Sequence, residues 1–204
     1  MPSRNIIKEY APDSYYHVYA RGSSKQKIFL EASDFSYFRK LFERYLSDKQ
    51  KVSNTGMPYP HFSKNIKLIA YCLMTNHFHL LIHQKDSEDL QQFMRSIMTS
   101  YSRYFNQKYK KSGPMFESRY KAVRIDQQSY LEHITRYIHL NPRRWENYYN
   151  SSLGYYKNGN EPEWLNNKEI LDLFISREEY IAFVEDYEEM RNMLSELKYQ
   201  LADM

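Results

Sequence analysis

Polar and apolar residues alternate through "SYYHVYARG" (14–22), which predicts a strand that breaks at Gly22. The period then lengthens. In "EASDFSYFRKLFERYLSDK", Phe35, Phe38, Leu41, Phe42, Tyr45 and Leu46 recur at helical spacing, predicting a helix with Ser33 or Asp34 as N-cap. Residues 51–63, "KVSNTGMPYPHFS", hold Pro, Gly, Asn and Ser and read as a loop. "IKLIAYCLM" reads as a buried strand, and "HFHLLIHQ" as its antiparallel neighbour or continuation, with "TN" at the junction. Ser87 opens a long helix whose stripe of Leu90, Phe93, Met94, Ile97, Met98, Tyr101 and Phe105 runs to about Tyr109. "KKSGPMFESR" is a turn and "YKAVRID" (120–126) a short strand. Asp126 is expected to cap the helix "QQSYLEHITRYIHL", which must stop near Asn141 because Pro142 disfavours helical backbone in the residue before it.

This order of elements describes an α+β fold. The expected architecture is a ferredoxin-like or RRM-like sandwich, a mostly antiparallel sheet with packed helices. The composition shifts after "RRWENYY": residues 151–163 are polar and rich in Gly and Asn. From Ser176 an acidic amphipathic helix is expected, with Ser176 and Glu179 as a capping box. Its stripe would be Tyr180, Phe183, Val184, Tyr187, Met190, Leu194, Leu197 and Leu201. The chain therefore divides into a body, 1–150, and a C-terminal acidic helical extension, 151–204.

A chain of 204 residues can bury a real core in one domain. Its charge is uneven. Residues 1–150 carry 24 Lys+Arg against 13 Asp+Glu, a net +11, while residues 151–204 carry 5 against 12, a net −7. A basic body suits a polyanionic partner, and the 21 Tyr, 11 Phe and 2 Trp supply flat groups that stack on bases as well as core edges. A single cysteine, Cys72, excludes a disulfide framework and a Cys-based zinc finger. The first residues lack a signal-peptide core and no apolar run approaches membrane-spanning length, so a soluble cytoplasmic protein without membrane contact is expected.

"TNHFHLLIH" (75–83) gathers three histidines. On a strand His77, His79 and His83 share one face. His77 and His79 then stand roughly 6.6 Å apart and can lean onto one ion, whereas His83, roughly 13 Å further on, cannot, and is expected at an edge or surface. In "RYIHLNP", Tyr137 and Asn141 lie one helical turn apart on one face. Asn141 could add its amide oxygen to the two imidazoles, a mixed set suited to Mg²⁺ or Mn²⁺. The same two positions equally suit a helix cap and a packed ring.

"YHVYARG…KIF", "YCLMTNHFHLLI", "GPMFESRYKAVRID" and "YLEHITRYIHLNPRRW" occur in an order and spacing that resemble the single-tyrosine HUH transposases, with REP-associated tyrosine transposases as the branch most resembled. The resemblance covers about residues 14–145 and makes 1–150 the transposase domain. It implies that His77, His79 and Asn141 hold one divalent metal, Mg²⁺ or Mn²⁺. It also implies that Tyr137 attacks a phosphodiester of single-stranded DNA, leaving a 5′-phosphotyrosine and a free 3′-OH that allows rejoining. The DNA it implies is a hairpin-forming repeat with a short single-stranded guide; relatives act as monomers or as homodimers.

For DNA contact, "KYKKSG" and "RYKAVR" interleave base with aromatic, putting forward Lys108, Lys110, Lys111, Arg119, Lys121 and Arg124. Arg136 and Arg143 flank the proposed site in sequence, and the resemblance adds Arg21 and Lys25. Two other chemistries fit the same residues: a metal-dependent phosphoesterase using water, and an RRM-like module that binds single-stranded nucleic acid without catalysis.

Overall fold

A computed structural model describes residues 10–186 of the chain. Four strands, β1 (Ser14–Arg21), β2 (Ile66–Met74), β3 (His77–Gln84) and β4 (Lys121–Ile125), form one antiparallel sheet in the order β2-β3-β1-β4. Helices α1 (Ala32–Leu46) and α2 (Asp89–Tyr109) connect them, and α3 (Gln128–Leu140) follows β4. The ferredoxin-like expectation describes this order and pairing.

Alternation along the strands creates two cores. Tyr16, Val18 and Ala20 of β1 and Phe78, Leu80 and Ile82 of β3 point to one face, where Phe38, Leu41 and Phe42 of α1 and Phe93, Ile97 and Tyr101 of α2 cover them. The opposite face meets α3 through Leu131, Ile134 and Ile138. A bulge at Leu68/Ala70 places Ile69 and Ala70 together in this second core. Three shorter helices complete it: α4 (Leu153–Asn158), α5 (Lys168–Leu171) and α6 (Arg177–Glu185), which contribute Leu153, Tyr156, Ile170, Tyr180 and Val184. The polar stretch 151–163 thus contains a helix, α4, where only a change of composition was legible.

Residues 150–166 cover the free edge of β2. Leu73 N donates to Asn150 O (2.8 Å), Ser152 N to Tyr71 O (2.9 Å) and Asn166 N to Leu68 O (2.8 Å). Paired edges do not template association.

Three caps differ from expectation. Glu31 occupies the N-cap of α1, and Asp34 reaches back to accept from the amides of Leu30 (2.8 Å) and Glu31 (3.1 Å). Gln127 is the N-cap of α3 and makes no side-chain cap bond, while Asp126 pairs instead with Arg124 Nε at 2.8 Å. The long helix α2 starts at Asp89, with Glu88 as N-cap. Ser176 does cap α6, accepting from Glu179 N at 3.2 Å. The apolar stripe expected beyond it, from Tyr187 to Leu201, lies outside the described residues.

Gly22 closes β1 for a steric reason. A Cβ there would stand 2.2 Å from Gln26 O and 2.8 Å from Ile28 Cγ2. Its amide donates to Asn76 O (2.9 Å), and Ile28 and Phe29 N both donate to Thr75 O (2.8 and 3.0 Å). These bonds fix the β2–β3 turn that launches His77.

Candidate active site

The second face of β1 and β3 carries an aromatic and basic row. Tyr15, His17, Tyr19 and Arg21 stand opposite His83, Leu81, His79 and His77. Helix α3 lies over this row and brings Tyr137 and Asn141 down onto it. The Tyr137 ring meets the His79 ring edge-on at 5.6 Å and the His17 ring at 5.7 Å. His77 Nε2 faces Asn141 Oδ1 at 3.2 Å. The four expected site residues thus converge.

His83 does not join them. It sits at the far end of β3, its Nε2 2.9 Å from Asp13 Oδ1 and its ring 4.7 Å from Tyr15. Strand β3 is interior, so His83 is neither on an edge nor openly exposed; its side chain is 12% exposed.

His17 was not singled out in the sequence, yet it is buried beside the pair. Its Nε2 lies 2.8 Å from His79 Nδ1, and the two rings stack 5.1 Å apart. Only the parity of "SYYHVYAR" could have placed it on the site face.

Electrostatics follow from burial. Desolvation holds His79 well below the ordinary imidazole range, reinforced by His17, His77 and Arg21, and pushes His17 down to about 3. His77 is lowered by burial and by Arg21, against the raising effect of Asn141. The Tyr137 phenol is raised by burial, while a hydrogen bond with Asn141 and the charge of Arg21 pull it back down. The histidines are thus neutral and able to act as ligands near pH 7.

The donor set fits a hard divalent cation. Asn76 Oδ1 lies 2.7 Å from His77 Nδ1 and can only accept; with the imidazole proton on Nδ1 for this shorter contact, Nε2 keeps its lone pair. Nε2 therefore meets another acceptor, Asn141 Oδ1. Two atoms each about 2.1 Å from one octahedral cation stand roughly 3 Å apart when adjacent, which is their spacing here. Among the described residues no cluster of three His, Cys, Asp or Glu side chains is placed for a metal, so the third ligand would have to be an amide.

The basic residues separate. Arg21 is exposed at the site, and Lys25 is exposed in the adjoining turn. Lys121 places its Nζ 5.9 Å from the Tyr19 ring. Arg119, Arg124 and Arg143 are exposed; Lys110 is the C-cap of α2 and Lys111 follows it. Lys108 lies on the other side of the sheet, ion-paired with Glu31 and with Asp34 at 2.7 Å. Arg136 departs from expectation. It is 0% exposed, donates to Phe183 O at 3.1 Å and stacks 4.0 Å over the Phe183 ring, because α6 covers that side of α3; it cannot reach a phosphate from there.

The site thus lies on the antiparallel ferredoxin-like sheet of an α+β protein, with His-x-His on a central strand under a helix that carries Tyr137 and is followed by Asn141. Residues 59–141 match the family model described as "Transposase IS200 like", a span that includes His77, His79, Tyr137 and Asn141 and excludes His17 and Arg21. Over that span the chain is similar to the IS200-like transposases. Among solved structures it is similar to the REP-associated tyrosine transposase bound to a REP hairpin. That match has 12% identity and a TM-score of 0.56 over 80% of this chain and 92% of the other, a likeness of fold. A candidate transposase from Deinococcus radiodurans R1 matches at 12% identity and a TM-score of 0.40, over 68% of this chain and 95% of that one, too loose a likeness to support an argument. No curated protein matches the sequence. Among the described residues no helix is long and apolar enough to cross a membrane.

Proposed function

We propose that this transposase cleaves and rejoins single-stranded DNA through a covalent bond to Tyr137. The observation that carries the reading is the convergence of His77, His79, Tyr137 and Asn141 from β3 and α3. The Tyr137 oxygen attacks the phosphorus, the bond to the 3′ oxygen breaks, and the DNA remains as a 5′-phosphotyrosine beside a free 3′-OH. Attack by a second 3′-OH reverses the step and joins new ends without a nucleotide cofactor.

A phenol near pKa 10 is on the order of 0.1% ionised at pH 7, and burial disfavours ionisation further, so the residues around Tyr137 matter. Asn141 bonds the phenol, and Arg21 places a positive charge near both the phenol and the incoming phosphate. His77, His79 and Asn141 would hold one Mg²⁺ or Mn²⁺, which when bound polarises the scissile phosphate and offsets its developing charge.

The partner in this reading is single-stranded DNA that folds into hairpins at repeats; the structural neighbour is bound to a REP hairpin. A groove of about 910 Å³ supports a path for the strand. Arg95, Met98, Phe116, Arg119 and Tyr120 line it. Its 114–118 wall is bonded to the end of β1 beside Arg21, by Glu117 N to Arg21 O (2.9 Å) and Ser23 N to Met115 O (3.0 Å). Arg21, Lys25, Arg119, Lys121, Arg124 and Arg143 would contact phosphates, with Lys110 and Lys111 further along; Lys108 would do so only by giving up its ion pairs. In this reading residues 1–150 form the transposase domain and residues 151–204 an extension, whose described part, to residue 186, braces α3.

The test is a labelled single-stranded oligonucleotide carrying the repeat that flanks the gene, incubated with Mg²⁺ or Mn²⁺ and resolved on denaturing gels. A metal-dependent covalent band, absent in Tyr137→Phe and in EDTA, is expected. Cleavage that survives in Tyr137→Phe without an adduct would assign the reaction to water instead. Binding without cleavage under either metal would make the protein a binding module.

A further inference from the structure

His17 is the one buried imidazole in contact with the site that the reading above does not use. It is 1% exposed, on β1, and it touches two of the proposed residues: its Nε2 is 2.8 Å from His79 Nδ1 and its ring is 5.7 Å, edge-on, from Tyr137. Register explains the reach. His17 pairs with Leu81 and Tyr19 with His79, so His17 meets His79 on the diagonal, within range of a ring.

We infer that His17 is a positioning residue: it accepts the Nδ1–H of His79, fixing that imidazole's tautomer and rotation so that the Nε2 lone pair faces His77 and Asn141. The inference rests on the proposed role of His79 as a ligand. Its support is a symmetry between the two histidines. His77 is held from behind through Nδ1 by Asn76 at 2.7 Å, and its Nε2 points inward at Asn141. His79 is held in the same way through Nδ1, with His17 in the place of Asn76. An imidazole that ligates through one nitrogen normally donates from the other, and such outer partners set ring orientation and ligand basicity.

The opposite arrangement, His17 donating to His79, would leave His79 Nε2 protonated and aim an N–H at the site. Ring stacking alone does not require it either way, because a phenylalanine at position 17 would also stack on His79 and Tyr137. What a phenylalanine lacks is the acceptor. A glutamine can supply one, its Oε1 standing near the place of the imidazole Nε2.

Two measurements on the full-length protein test this. Long-range ¹H–¹⁵N NMR of the metal-free wild type, with His79 assigned by comparison with His79→Gln, reads the tautomer directly. Protonated Nδ1 with bare Nε2 is expected; protonated Nε2 overturns the inference. Separately, Mn²⁺ affinity is measured by titrating the signal of free Mn²⁺ in wild type, His17→Phe and His17→Gln, with thermal melting as the folding control. His17→Phe should bind on the order of 10- to 100-fold more weakly. His17→Gln should recover to within about threefold of wild type, a rescue that follows from a restored acceptor but not from ring packing. Unchanged affinity in folded His17→Phe, or no recovery in folded His17→Gln, counts against His17. If the wild type itself binds no Mn²⁺, the metal-site reading falls, and the His79 tautomer alone decides the role of His17. If His17→Phe does not fold, the tautomer and His17→Gln decide.

Discussion

His77 Nε2 and Asn141 Oδ1 face each other at 3.2 Å across the gap between β3 and α3, and with the His77 proton on Nδ1 each presents a lone pair. Asn76 orders this. Its Oδ1 holds His77 Nδ1 at 2.7 Å while its Nδ2 donates to Lys25 O at 3.4 Å, so the amide's orientation is itself bonded at both ends. Opposed acceptors repel unless a cation lies between them. Added Mn²⁺ should therefore raise the melting temperature, by about 2.7 kcal/mol of stability at a hundredfold excess over its dissociation constant. His77→Ala and Asn141→Leu should melt without that shift. Differential scanning calorimetry with and without Mn²⁺ checks it; an equal shift in all three proteins would place the ion elsewhere.

Arg21 ends β1 directly opposite His77, on the site face but in solvent. Its charge lowers the Tyr137 phenol and disfavours protonation of both histidines. Arg21→Ala should slow covalent adduct formation about tenfold or more, the scale of one charged hydrogen bond of roughly 1.5 kcal/mol. Its loss should also flatten the salt dependence of DNA binding. Melting should hardly move, because an exposed guanidinium contributes little to stability. Wild-type rates in Arg21→Ala at low salt would remove Arg21 from the site.

Much of this arrangement was legible in the chain. The strands "IKLIAYCLM" and "HFHLLIHQ" end where the structure ends them, because continuous apolar runs meet polar turns there. Pro142 stops α3 and so leaves Asn141 on its last turn, one turn below Tyr137. What was not legible depended on distant partners. His17 finds His79 62 positions away, through strand register that no local pattern displays. Arg136 is buried because α6 happens to cover its side of α3, while its neighbours along "RYIHLNPRR" give no sign of a cover. Helix starts were misplaced because Glu31 and Gln127 are not the short polar residues that usually cap.

Gly22 joins fold to site. A methyl group there would run into backbone, Gln26 O at 2.2 Å, and neither chain can swing aside as a flexible side chain would. Gly22→Ala should lower stability by about 1–3 kcal/mol. The strain falls on the bond from Gly22 N to Asn76 O, next to the histidine launched by that turn. Mn²⁺ affinity should therefore fall in the variant, at a temperature where circular dichroism shows it folded. A variant as stable as wild type would mean that the 23–28 turn relaxes freely and does not brace His77.

His139 follows Tyr137 by two residues and points the other way, into the second core. It is 0% exposed, with Nδ1 2.7 Å from Tyr180 Oη and Nε2 2.7 Å from Ser152 Oγ, so it ties α3 to α6 and to the start of α4. Burial, with Lys157 adding to it, pushes its imidazole down to about 3. The folded protein thus keeps His139 neutral down to that pH, whereas the unfolded chain takes up a proton near 6.5. Between those values the unfolded state binds more protons, so stability is full above about 6.5 and falls as the pH drops, by roughly 1.4 kcal/mol per unit for one such group. His139→Gln retains polar contacts but cannot charge. It should be less stable than wild type at pH 7.5, and its stability should decline more gently toward pH 4. Urea denaturation at half-unit steps of pH measures both curves. Parallel curves for the two proteins across that range would show that His139 is not the buried neutral group that makes the braced face of α3 sensitive to acid.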